Sequence, residues 1–198
     1  KPYSSKNSAA EQGRAFLPML LIWSKSFALP ETPTTHHWSG HGENPVAVLR
    51  SGWDADATYL AIKGGTPYAN HGHMDVGAFV LEAAGVRWAL DLGRQDYNRL
   101  EQMGVKLFER QQDSDRWKIM RYTNFWHNTL TVDSKLQQVR GFAPMTEVSD
   151  THAAFDLTDV YKDLLRKAIR TVTRDGRSLP GRGVAKAAGE DSPGPDPA

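Results

Sequence analysis

The chain contains no cysteine. That removes disulfides, thiolate nucleophiles, cysteine-based zinc sites and iron–sulfur clusters together. It leaves the compartment open, because a secreted domain can also do without cysteine. An excess of either charge is lacking too. Lys and Arg number 24 against 23 Asp and Glu, a formal net charge of +1. A nucleic-acid coat or a polybasic membrane binder needs a large positive surplus, so neither partner is expected. Long apolar runs are also missing. The longest, Ala15 to Trp23, is broken by Pro18 and falls far short of the roughly 20 residues of a membrane span. No leader pattern is visible and the first residue is Lys1, so the chain is read as a fragment that has lost an upstream part.

What is present suits one soluble globular domain. There are 198 residues, 39% of them hydrophobic and 24% charged. Ser8 and Glu11 form a capping box, and Phe16, Leu20 and Trp23 make one stripe of a helix over Glu11–Ser24, kinked at Pro18. Residues 1–29 thus read as one helix that needs partners from elsewhere. Residues 30–43 are rich in proline, glycine and histidine and read as a linker or ordered loop.

Residues 44–174 change character. Val46–Arg50 and Thr58–Lys63 read as strands, and Ala78–Ala83 with Val86–Asp91 as a hairpin around Gly85. Tyr97–Phe108 has the spacing of a short helix. Trp117–Tyr122, Asn128–Val132 and Glu147–Leu157 read as further strands. Short strands separated by turns predict a mainly β fold, an antiparallel β-sandwich. Residues 175–198 hold too little apolar content to pack and read as a disordered tail.

Chemistry concentrates at Asn70-His71-Gly72-His73-Met74-Asp75. In an extended segment His71, His73 and Asp75 point to one face, and burying three ionisable groups there demands compensation. Zinc accepts neutral imidazole and carboxylate, and a bare polar strand edge is the alternative. Asp91 closes an apolar strand before Gly93, as a metal ligand or a turn cap. His127 follows Phe125-Trp126, as a ligand or a satisfied core histidine. His36, His37 and His41 read as loop histidines, because glycine and proline there oppose a helix. Arg166-Lys167 and Arg170 interleave with acids and read as a solvated face.

Asn70-His71-Gly72-His73-Met74-Asp75-Val76-Gly77-Ala78-Phe79, Asp91-Leu92-Gly93 with Tyr97, and Trp126-His127-Asn128-Thr129-Leu130-Thr131-Val132-Asp133 resemble three ordered motifs of the heparinase II/III-like polysaccharide lyases. The resemblance runs from about Glu43 to Tyr161. It implies an (α/α) toroid followed by a large antiparallel β-sandwich. This chain then holds the last toroid helix and the first, incomplete part of the sandwich. It implies Zn2+ on His73, Asp91 and His127, with a structural role. It implies β-elimination on an anionic polysaccharide, glycosaminoglycan or alginate-like, in the periplasm or after secretion.

In that scheme His71 and Tyr97 are the catalytic candidates, and Asn70 and Arg121 the substrate-binding ones. Tyr97 as a plain helix start, and Arg121 as a solvated charge, are the alternatives. The family's main acid/base tyrosine and its partner come from the toroid, which is missing here. After Leu164–Val172 the text departs from further sandwich strands, as in a truncated or frame-shifted reading frame. The isolated chain is therefore expected to show little or no lyase activity. A non-catalytic carbohydrate-binding or vestigial module is the second hypothesis, and a metal-free structural β-domain the third.

Overall fold

The computed structural model describes residues 18–19, 22–23 and 31–174. The four N-terminal residues among these are helical. The rest of the expected Glu11–Ser24 helix, and the expected disordered tail 175–198, lie outside the described residues. Residues 35–174 fall within one compact unit, and the following concerns that unit alone.

Among the described residues eight strands make two sheets, and all neighbouring strands run antiparallel. The first sheet is a five-stranded meander: β1 (His37–Gly40), β2 (Val46–Arg50), β3 (Tyr59–Lys63), β4 (Phe79–Ala83) and β5 (Val86–Ala89). The second holds β6 (Met145–Val148), β7 (His152–Asp156) and β8 (Ile169–Thr173). This is the expected mainly β sandwich. Strand β1 arises inside 30–43, the stretch read from the sequence as linker or loop.

The strand pattern follows from alternation. In β2, Ala47 and Leu49 point inward, and in β3, Leu60 and Ile62 do. The register pairs Ala47 with Ile62 and Leu49 with Leu60, so all four face one core. Ala153, Phe155 and Val172 from the second sheet close it. Each such Leu, Ile or Phe contributes about 1.5–3 kcal/mol of burial. Where the sheets converge there is no room for a side chain. A Cβ on Gly64 would collide with the Ala143 carbonyl and stand 2.6 Å from the Phe155 ring. Ala84 (φ +52°) and Gly85 (φ +69°) make the two-residue turn between β4 and β5, and both positive angles match a type I′ hairpin.

Two predicted strands are absent. Trp117–Tyr122 winds instead into consecutive 3-10 turns over Asp115–Lys118 and Met120–Tyr122, followed by a third over Asn124–Trp126. Trp117 and Tyr122 thereby fall on a second small core with Met74, Leu100, Leu107 and Val139. Asn128–Val132 forms no strand either. Its polar side chains bond to backbone elsewhere: Asn128 donates to Phe79 O and Leu90 O, and Thr129 to Val76 O. Such bonds compete directly with a ladder. The predicted helix over 97–108 contracts to α1 (Tyr97–Gln102), capped by the Asp96 carboxylate on Arg99 N–H. Glu147–Leu157 is divided between β6 and β7. Among the described residues no helix is long and apolar enough to cross a membrane.

Candidate active site and metal centre

Three segments far apart in sequence meet beside the second core. One is the turn 70–75, the second is 91–97 ending at α1, and the third is the run of 3-10 turns up to His127. The turn is not the extended segment that alternation suggested. His71 has φ +58°, a left-handed conformation that a residue with a Cβ rarely adopts. The ionisable groups therefore diverge. His71 turns to Tyr97, His73 to His127, and Asp75 to Lys63, with which it makes a half-buried ion pair at 2.7 Å. The shared face expected for His71, His73 and Asp75 does not form, because the backbone reverses between them.

His71 is exposed. Its Nδ1 lies 3.2 Å from the Tyr97 hydroxyl, and the rings stack with centroids 5.9 Å apart. Phe108, largely exposed, packs its edge against both rings, at 6.3 and 6.1 Å. Tyr97 is at once the first residue of α1 and part of this cluster, so both readings of it apply. Asn70 is exposed on the same turn. Arg121 spends one arm of its fork on Leu92 O, 2.9 Å away, and so holds the 91–93 turn. It lies in a 3-10 turn rather than a strand.

Deeper in, His127 Nδ1 lies 2.6 Å from Asp91 Oδ2, and the His127 side chain is 1% exposed. Asp91 also accepts from Gly93 N–H at 2.7 Å. It thus caps its turn, the alternative reading, and also binds His127. Burial pushes the Asp91 carboxyl up, but the bonds from His127 and Gly93 outweigh this and hold it below its usual value. The His73 ring stands 5.3 Å from that of His127. Burial lowers the His73 pKa to about 4, with further lowering from His127 and Arg116 opposed by Asp75 and Asp91. It is therefore neutral near pH 7.

The residues suit zinc in kind. They offer two histidines and one carboxylate, and one nitrogen has no other use: His127 Nε2 is buried without a hydrogen-bond partner. As the side chains stand, no group of three or more His, Asp or Glu among the described residues is arranged to hold a metal ion. Asp91 is bonded to His127 Nδ1, the position of an outer partner that fixes a ligand's tautomer.

Sequence reading missed Arg116. It is 2% exposed and has no carboxylate partner among the described residues. Its fork donates to Gly72 O at 2.7 and 3.2 Å and to Leu107 O at 2.8 Å. The guanidinium also lies 4.6 Å from the Tyr122 ring centroid. It pins the peptide between His71 and His73. An arginine between Asp115 and Trp117 carries no sequence signal of burial. Burial above all raises the Tyr122 pKa to about 12, so this phenol stays protonated. Of the loop histidines, His37 is in β1 and bonds Asp150 at 2.7 Å, tying the first sheet to the β6–β7 turn. Arg170, expected on a solvated face, is partly buried over the Phe79 ring and donates to Asn128 O.

The profile of the family described as Heparinase II/III-like, C-terminal, matches residues 44–179. Among solved structures, a heparan sulfate lyase HepC from Pedobacter heparinus aligns with TM-score 0.52 and 20% identity. A mutant of the same lyase gives 0.53 and 19%. Each alignment covers 82% of this chain and 24% of that one, so this chain spans about a quarter of the lyase's length. At this identity the likeness concerns the fold. No curated protein matches the chain.

Proposed function

The chain belongs to the heparinase II/III-like C-terminal family, and from that premise we propose that it is the β-sandwich portion of a zinc-containing polysaccharide lyase. The substrate is a uronic-acid-containing anionic glycan, glycosaminoglycan or alginate-like, met in the periplasm or outside the cell. Heparan sulfate, named for the similar structures, is the first glycan to test. The observation that supports this most is the convergence of the His71–Tyr97 pair with His73, Asp91 and His127 from three separate segments.

The chemistry assigns the tasks. In β-elimination the C5–H bond breaks, a C4–C5 double bond forms, and the C4–O bond breaks. The uronate carboxylate must be neutralised, a base must take the C5 proton, and an acid must protonate the leaving oxygen. His71 and the Tyr97 hydroxyl, at hydrogen-bond distance on an exposed rim, suit proton exchange with substrate. Asn70 and the free arm of Arg121 suit the carboxylate or a sulfate. His73, Asp91 and His127 would hold zinc, which when bound would tie the three segments together and shape the cleft wall. The isolated chain spans a quarter of the lyase's length, so it is expected to bind without completing the reaction.

Elemental analysis of the purified chain tests the metal. The expected result is about one zinc per chain, lost in His73→Ala. A folded chain without zinc would remove the three ligand assignments. Ultraviolet detection of unsaturated uronate tests activity, and clear turnover by this chain would refute its expected inactivity.

A further inference from the structure

Tyr68 sits three residues before His71 and is half-buried. Two guanidinium groups lie against its ring, those of Arg110 and Arg140, each 4.4 Å from the centroid. Arg110 is anchored by Nη1 to the Tyr68 carbonyl at 2.7 Å. Arg140 is exposed, and its Nη2 stands 3.4 Å from the Tyr68 hydroxyl. Neither pairs with a carboxylate among the described residues. Two cations on one ring repel, and neither is in direct contact with a carboxylate among the described residues that would offset the repulsion.

The chain links the pair to the candidate site, since only two residues separate Tyr68 from His71. Phe108, two residues before Arg110, touches the rings of His71 and Tyr97. An exposed aromatic so placed offers a flat apolar face, and Arg110 and Arg140, each with one side-chain hydrogen bond, keep further donors unspent. We propose that Tyr68, Arg110 and Arg140 form a second anion subsite, distinct from Arg121, which takes the sulfate or carboxylate of a sugar neighbouring the one at His71. This rests on the reading that the cleft receives an anionic glycan. A guanidinium fork matches either group bidentately, and the arms of the experiment separate them.

The test is calorimetric titration of the full chain with two hexasaccharides, heparan sulfate of defined sulfation and an unsulfated uronate analogue. Wild type is compared with Arg140→Gln and Arg110→Gln/Arg140→Gln. Arg140→Gln removes only an exposed side chain, and circular dichroism checks both folds. Support would be affinity about tenfold weaker in the double variant, a smaller loss in Arg140→Gln, and a shallower salt dependence in both. Loss confined to the sulfated ligand assigns sulfate, and equal loss on both assigns carboxylate. Unchanged affinity in folded variants overturns the subsite and leaves the lyase reading standing. No binding of either ligand by wild type overturns both.

Discussion

The bond between Asp91 and His127 fixes a proton, and that can be tested. Asp91 is held ionised near neutral pH and can only accept. Its partner must then donate, so His127 carries its proton on Nδ1 and a lone pair on Nε2, the buried nitrogen without a partner. Asp91→Asn reverses this. The amide keeps an oxygen for Gly93 N–H and offers an N–H to His127 Nδ1. The imidazole proton then moves to Nε2, which can no longer ligate a metal. A charge-assisted bond is exchanged for a neutral one at a half-buried position, so the loss of stability should be about 1–2 kcal/mol. For a domain of this size that lowers Tm by about 3–8 °C. Zinc affinity should fall at least about tenfold, because the change removes the carboxylate of one proposed ligand and puts a proton on the ligating nitrogen of another. Long-range proton–nitrogen correlation spectra of the metal-free chain report the tautomer directly. The same His127 tautomer in wild type and variant would refute the reasoning, whatever the Tm.

Two further outcomes follow from buried groups. Arg116→Lys keeps the charge but loses the fork that reaches Gly72 O and Leu107 O together. The denaturant midpoint should drop by the equivalent of about 1–3 kcal/mol at unchanged m, and an unchanged midpoint would show that the fork is dispensable. His73 gives a pH dependence in metal-free protein. Its folded pKa of about 4 lies below the ordinary 6.5, so between these values the unfolded chain binds more protons. Stability is then complete above about pH 6.5 and falls as pH drops towards 4. Partial solvent screening limits the loss to about 1–2 kcal/mol. Denaturation curves across this window should show the slope in wild type and not in His73→Gln, and a slope retained in the variant would assign it elsewhere.

Sequence determined the strands whose burial alternates. Val46–Arg50, Thr58–Lys63 and the hairpin at Ala84-Gly85 were legible because local pattern and turn chemistry agree with the final sheet. The three motifs were legible too, as residue types in order. Tertiary structure decided the rest. Trp117–Tyr122 alternates like a strand, yet its aromatics are claimed by a second core that no local pattern announces. Asn128–Val132 has strand propensity, but Asn128 and Thr129 find carbonyls on distant segments. The left-handed turn at His71 sends three neighbouring ionisable groups to three partners, and a buried Arg116 fixes that turn. These outcomes depend on atoms brought together from segments 12 to 54 residues apart in the chain, where a hydrogen bond or a packed ring outweighs the local preference of about 1 kcal/mol per residue.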